Sequence, residues 1–226
     1  MGAQSLAGGV RAASRSKRRI DAVLFDVGGV ILRLADITTL GTFNGHTEAQ
    51  PIKDLWSRCE IVRAHETGEL NAQAFAQRMV ETYAMGCAPD EFLARFCAWP
   101  REVFPGIEEL LADLDPKLQV ACLSNTCDIH WRTMIAAEDM TRLFKRQFLS
   151  FRWGLMKPDA AIYRRAISEL GCAPERILFF DDNQANVDGA RAVGIDAHLV
   201  DGPDAARQIL ASYGLLRGGT SSSGST

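Results

Sequence analysis

Three short apolar runs in this chain stop abruptly on polar residues: Ala22–Phe25 runs into Asp26, Val120–Leu123 into Ser124-Asn125-Thr126, and Ile177–Phe180 into Asp181-Asp182-Asn183. Such runs are far shorter than the roughly 20 residues needed to cross a bilayer, and they suit strands buried on both faces. Five segments read as strands: Ala22–Asp26, Gln119–Ser124, Gln147–Ser150, Ile177–Asp181 and Ala197–Val200. Helical periodicity separates the later ones. Asp159–Leu170 puts Ala161, Ile162, Ala166, Ile167 and Leu170 on one side with Gly171 as the stop, and Asn186–Val193 repeats the pattern before Gly194. Strands alternating with helices predict a parallel sheet covered on both faces, a Rossmann-like α/β core.

One interval interrupts the alternation. Between Leu34 and Glu102 no strand pattern stands out, while Ile52–His65, Asn71–Tyr83 and Pro89–Phe96 have helical spacing, with Gly68 and Gly86 as breaks. The reading is a helical cap over 34–102 inserted into a core formed by 20–33 and 103–216. Residues 1–19 read as a disordered basic tail and 217–226, almost all Gly, Ser and Thr, as a second one.

Charge narrows the partners. The net charge is −3, yet the first twenty residues hold Arg11, Arg15, Lys17, Arg18 and Arg19 and no acid, so the remainder carries −8. A body of that sign is a poor match for nucleic-acid phosphates, and no segment suits a membrane. The basic stretch has no apolar centre for a secretory signal. The six cysteines form no Cys-x-x-Cys pair and several sit among apolar neighbours, which suits reduced thiols in a cytoplasmic protein. A monomer or homodimer acting on a small molecule is the expectation.

Ligands of open parallel sheets bind at the carboxyl ends of the strands. Asp26, Ser124, the Asp181-Asp182 pair and, after the third strand, Lys157 therefore share one rim. Carboxylates crowded together raise one another's pKa unless a cation relieves them, and Mg²⁺ with its preference for oxygen ligands is the natural relief. A carboxylate can attack phosphorus, Lys157 can hold the charge of the transferring group, and Ser124 and the amides after it, like those of the turn at Val27, Gly28 and Gly29, can donate to phosphate oxygens. The set reads as phosphoryl transfer.

Four segments in order carry a family resemblance: Phe25-Asp-Val-Gly-Gly-Val30, Leu123-Ser-Asn-Thr126, Lys157-Pro158, and Ile177-Leu-Phe-Phe-Asp-Asp-Asn-Gln-Ala-Asn-Val-Asp-Gly-Ala-Arg-Ala-Val-Gly-Ile195. They resemble the four motifs of the haloacid dehalogenase superfamily, over roughly residues 20–216. The resemblance implies Asp26 as nucleophile and metal ligand, Gly28 (through its carbonyl) and Asp182 as further ligands, and Ser124, Asn125 and Lys157 as holders of the phosphoryl group. It implies Asp181 and Asn186 as supports, Mg²⁺ as cofactor, and a phosphatase acting on a small phosphate ester through an aspartyl phosphate. A metal-independent haloacid dehalogenase or an inactive protein of the same fold is the alternative.

One position departs from the common pattern. Most phosphatases of the superfamily have a second Asp two residues after the nucleophile as acid and base, and here that position is Gly28. The detail is similar to a branch that includes an α-D-glucose-1-phosphate phosphatase, which points to a sugar phosphate. Without a positioned acid, turnover is expected to favour acidic leaving groups such as an anomeric hydroxyl.

Overall fold

The computed structural model describes residues 19–138 and 140–217. The two tails expected at 1–19 and 217–226 lie outside the described residues apart from Arg19 and Arg217. Among the described residues seven strands and eleven α-helices follow in the order β1 (Ala22–Phe25), β2 (Leu32–Leu34), α1 (Ala49–Ser57), α2 (Glu60–Glu66), α3 (Ala72–Thr82), α4 (Pro89–Cys97), β3 (Pro100–Val103), α5 (Ile107–Ala112), β4 (Gln119–Ser124), α6 (Asp128–Glu138), α7 (Met140–Leu143), β5 (Arg146–Leu149), α8 (Ser150–Trp153), α9 (Ala160–Leu170), β6 (Ile177–Asp181), α10 (Gln184–Ala192), β7 (Asp196–Leu199) and α11 (Gly202–Tyr213).

The main sheet has the order β5-β4-β1-β6-β7, and every pairing in it is parallel. Successive side chains of a strand point to opposite faces, and the strands divide accordingly. Val23 and Phe25 of β1, Cys122 of β4, and Leu178 and Phe180 of β6 pack with Ile107, Leu110, Trp131 and Leu210 of the helices on one face. Ala22 and Leu24, Ala121 and Leu123, and Ile177 and Phe179 pack with Ile162, Ala166, Val187 and Ala190 of α9 and α10 on the other. The protein is thus an α/β fold with helices on both faces of a parallel sheet. The chain leaves β1 toward β4 on one side and later returns to β6 on the other, which opens a crevice at the carboxyl end of β1.

Two expectations are corrected. The interval from Leu34 to Glu102 is bounded by a strand pair, β2 with β3, antiparallel with Leu32 opposite Val103 and Leu34 opposite Pro100. β2 has three residues and β3 begins on Pro100 and carries the exposed Arg101 and Glu102, so neither shows an apolar run. The single helix expected over Ile52–His65 is two helices, parted where Cys59 takes an extended conformation and turns its buried thiol toward Met79, with 3.8 Å between the sulfurs. Leu55, Cys59 and Val62 stay in helical register across the break, which hides it from a periodicity reading.

Helices α1–α4 wrap a third apolar cluster around Ile52, Val62, Phe75, Met79, Phe92 and Phe96, and Cys127 from the loop after β4 belongs to the same cluster. His130 of α6 is stacked on Phe96 with 3.9 Å between ring centroids, and its Nε2 lies 2.7 Å from the Phe96 carbonyl. Burial pushes the imidazole down from 6.5 to about 4. A folded pKa below the unfolded one means that this contribution to stability is complete above about 6.5 and is lost as pH falls toward 4. At pH 5 the loss is about 2 kcal/mol. Thermal melts of the parent should therefore fall more steeply between pH 7.5 and 5 than those of His130→Gln, and equal slopes would exclude the effect.

Candidate active site

Asp26 follows the last residue of β1, and its backbone N–H still donates to the Phe180 carbonyl of β6 at 2.8 Å. The side chain therefore emerges at the crevice between these two strands. Lys157 is buried, 1 % exposed, and its Nζ lies 2.9 Å from Asp26 Oδ1 and 2.6 Å from Asp181 Oδ2. Carboxylate oxygens of Asp26, Asp181 and Asp182 lie within 4.8 Å of one another. The rim thus joins residues from three segments of the chain around one ammonium.

The electrostatics follow from this crowding. Burial raises the Asp26 carboxyl well above the usual range; Lys157 opposes that shift, while Asp181 and Asp182 add to it. Asp182 is pushed up to about 6, first by burial and then by Asp181. Burial lowers the Lys157 ammonium's pKa, but Asp181 and Asp26 more than offset it, and the net shift is upward. Lys157 remains charged and holds the two acids it touches.

Hydrogen bonds assign different tasks to the neighbouring side chains. Asp181 is fully buried, and its Oδ1 accepts from the Asn183 N–H at 2.9 Å and from Asn186 Nδ2 at 3.0 Å, while Oδ2 faces Lys157. Both of its oxygens are engaged. Asp26 Oδ1 accepts from the Val27 N–H at 2.6 Å and faces Lys157, whereas Oδ2 has no hydrogen bond among the described residues. Asn125 is engaged by the Lys157 backbone: its Nδ2 donates to the Lys157 carbonyl at 2.9 Å and its Oδ1 accepts from the Lys157 N–H at 2.8 Å. Its side chain thus ties the loop after β4 to the backbone of Lys157. Ser124 is buried, and its Oγ makes one long bond, 3.3 Å, to the Asn125 carbonyl.

The turn after Asp26 narrows the expected set of amide donors. The Gly29 N–H donates to the Leu32 carbonyl at 2.8 Å and the Val27 N–H to Asp26, so the Gly28 N–H is the one of the three without a partner among the described residues. Gly29 is drawn out of the set because its N–H closes the turn into β2. Gly29 has φ +74°, and a Cβ there would lie 2.1 Å from Asp182 Oδ2. Gly29→Ala should cost about 2–4 kcal/mol, from the left-handed backbone and the overlap together. Gly28 is not in that conformation, and the nearest atom to an added Cβ would be in the exposed side chain of Leu34, at 3.1 Å. Gly28→Ala should therefore melt near the parent, and a thermal denaturation series separates the two; equal melting temperatures would refute the contrast.

Two positioning residues escape a sequence reading. Ser150, fully buried, bonds the Thr126 N–H and carbonyl, each at 2.9 Å, and so fixes the loop after Ser124. Nothing local distinguishes it. Gly189 of α10 has a signal, since glycine inside a helix marks a close approach. A Cβ there would lie 2.5 Å from the Pro158 carbonyl, so the glycine lets α10 rest on the loop that carries Lys157.

Comparison with known proteins agrees with this geometry. Among curated proteins the chain is 28% identical over 161 residues to a phosphoserine phosphatase from Thermus thermophilus, covering 66% of this chain and 64% of that protein. It is 29% identical over 93 residues to drimenol cyclase from Aspergillus calidoustus, covering 41% and 18%. The chain thus spans less than two thirds of the length of these curated relatives. Among solved structures, a haloacid dehalogenase family enzyme from Bacteroides thetaiotaomicron matches with a TM-score of 0.69 at 22% identity, covering 84% of this chain and 98% of that one. That enzyme in complex with magnesium and inorganic phosphate matches with a TM-score of 0.65 at 23% identity, covering 80% and 93%. The profile of the haloacid dehalogenase-like hydrolases matches residues 20–194. That span runs from just before β1 to the glycine after α10 and takes in Asp26, Ser124, Lys157 and the Asp181-Asp182 pair, and the chain belongs to this hydrolase family.

Proposed function

We propose that the protein is a Mg²⁺-dependent phosphatase that hydrolyses a small phosphate monoester, a sugar phosphate such as a sugar 1-phosphate, through an aspartyl phosphate on Asp26. The observation that carries the reading is Asp26 held on Lys157 within 4.8 Å of two further acids at the mouth of a parallel sheet. A dehalogenase needs no metal, and that reading leaves the acidic pair without a task. The phosphatase activity of one relative and the magnesium and phosphate bound to another support the same choice.

The donor set fits a hard divalent cation. Only oxygen ligands converge, burial and mutual repulsion hold two of the carboxyls above their usual range, and the Gly28 carbonyl accepts no hydrogen bond among the described residues. Asp26, Asp182 and the Gly28 carbonyl would hold Mg²⁺, with Asp181 as a support because both of its oxygens are engaged. Bound there, the ion would offset the negative charge of Asp26 and the phosphoryl group. Asp26 attacks phosphorus through the oxygen that the Val27 N–H leaves free. Lys157 and the Gly28 N–H take the charge on the non-bridging oxygens, and Ser124, with its Oγ only weakly engaged, adds a third donor. The test is a panel of sugar 1-phosphates, sugar 6-phosphates and phosphoserine, with Mg²⁺ and with a chelator. Phosphate release that stops on chelation is expected, and halide release from 2-haloacids with no phosphate release from any ester would overturn the reading.

A further inference from the structure

Glu66 is the last residue of α2 and half-buried, and its carboxylate has no hydrogen bond or ion pair among the described residues. Its surroundings are fixed on several sides. One turn earlier Arg63 pairs with Asp159 at 2.5 Å, two residues beyond Lys157. Two residues later Gly68 has φ +81° and lies so close to α8 that a Cβ would meet the Phe151 carbonyl at 2.7 Å. His65 is turned the other way, with Nδ1 2.7 Å from the Leu70 carbonyl. The end of α2 is thus clamped onto the core beside the crevice, with one unpartnered acid on it. That acid feels the Lys157 ammonium, which touches Asp26, and in turn raises the thiol of Cys127, three residues after Ser124.

We propose that Glu66, brought by α2, is the proton donor and acceptor that Gly28 cannot be. The proposal rests on the phosphatase reading above. In the first step Asp26 forms a bond to phosphorus as the bond to the ester oxygen breaks, and the Glu66 carboxylic acid gives its proton to that oxygen, which leaves as the alcohol. In the second step a water oxygen bonds to phosphorus as the bond to Asp26 breaks. The Glu66 carboxylate takes the proton from that water, which releases inorganic phosphate and restores both acids.

The environment suits the task. Burial raises the Glu66 carboxyl to about 7 against the pull of Lys157, so both protonation states are populated near neutral pH. The facing groups are Lys157 and Cys127 from the core, and burial keeps the Cys127 thiol protonated by raising it to about 12. On its own helix Arg63 is occupied by Asp159, and His65 Nδ1 by the Leu70 carbonyl. With this donor present, the expected bias toward acidic leaving groups disappears and esters of ordinary sugar hydroxyls become good substrates.

The test is kcat/KM with Mg²⁺ across aryl and alkyl phosphates of graded leaving-group acidity. The parent should show a shallow dependence. Glu66→Gln should lose about 10²–10⁴-fold on alkyl esters and less than about tenfold on nitrophenyl phosphate. Gly28→Asp placed in Glu66→Gln should recover much of the alkyl rate, since the backbone there is not left-handed and the nearest atoms to an added Cβ belong to the Leu34 side chain. In the parent alone, kcat/KM for alkyl esters should fall as pH rises through about 7, a limb that aryl esters lack. A loss that is equal on aryl and alkyl esters would make Glu66 a group that only binds the substrate. That result, alkyl rates within threefold of the parent, or coincident alkaline limbs would each overturn the proposal. A parent that releases phosphate from none of these esters would instead overturn the phosphatase reading.

Discussion

Asp26→Asn should abolish turnover, by about 10³-fold or more, and leave the melting temperature unchanged or higher. The amide keeps the shape of the carboxylate but cannot form the aspartyl phosphate, and loss of a covalent nucleophile removes the whole two-step route. The direction of the stability effect comes from the site. The buried carboxyl is held above its usual range by burial and by Asp181 and Asp182, so the neutral amide relieves repulsion. Lys157 meanwhile keeps Asp181 at 2.6 Å. Turnover above a tenth of the parent, measured on the best ester of the panel with melts run alongside, would remove Asp26 from the mechanism.

The second large effect should come from Lys157→Met, in rate and in stability together. The side chain keeps its apolar length against Phe179, over which the ammonium sits 5.6 Å from the ring centroid. The charge it removes is the one compensating Asp26 and Asp181. Breaking a buried ion pair by deleting one partner typically costs about 3–5 kcal/mol. The rate should fall by about 10²-fold or more, as expected for one preorganised cation at a developing charge. Added Mg²⁺ should raise the melting temperature of this variant more than that of the parent, because the uncompensated carboxylates bind a dication more tightly. A rate within threefold of the parent and an unchanged melt would sink the role.

These residues were legible in the sequence for a physical reason. β1 and β6 are buried on both faces, so they read as apolar runs, and Asp26 and Asp181 stand out because they end those runs. β3 was not legible, because its exposed Arg101 and Glu102 carry no apolar signal and its pairing with β2 bridges a long stretch of chain. The break at Cys59 was hidden by side chains that stay in helical register through it. The two hydrogen bonds between the Asn125 side chain and the Lys157 backbone join segments far apart in sequence, so nothing local announces them. Glu66 carried no signal at all, since only the docking of α2 beside Asp159 and Phe151 sets it apart from the other acids of these helices.

The membership of Cys127 in the helices' apolar cluster has a consequence for recombination. The residue lies just beyond Ser124-Asn125-Thr126, so the interior of α1–α4 and the loop after β4 share one packed wall. A helical segment exchanged with that of a relative at the ends of β2 and β3 would arrive without its own counterpart of Cys127, and without the ring that His130 stacks on Phe96. Chimeras would then misplace Ser124 even with every motif intact. Crossovers that travel with the stretch from Cys127 to His130 keep the wall whole, so the helices and the placement of Ser124 are inherited as one block, not as separable parts.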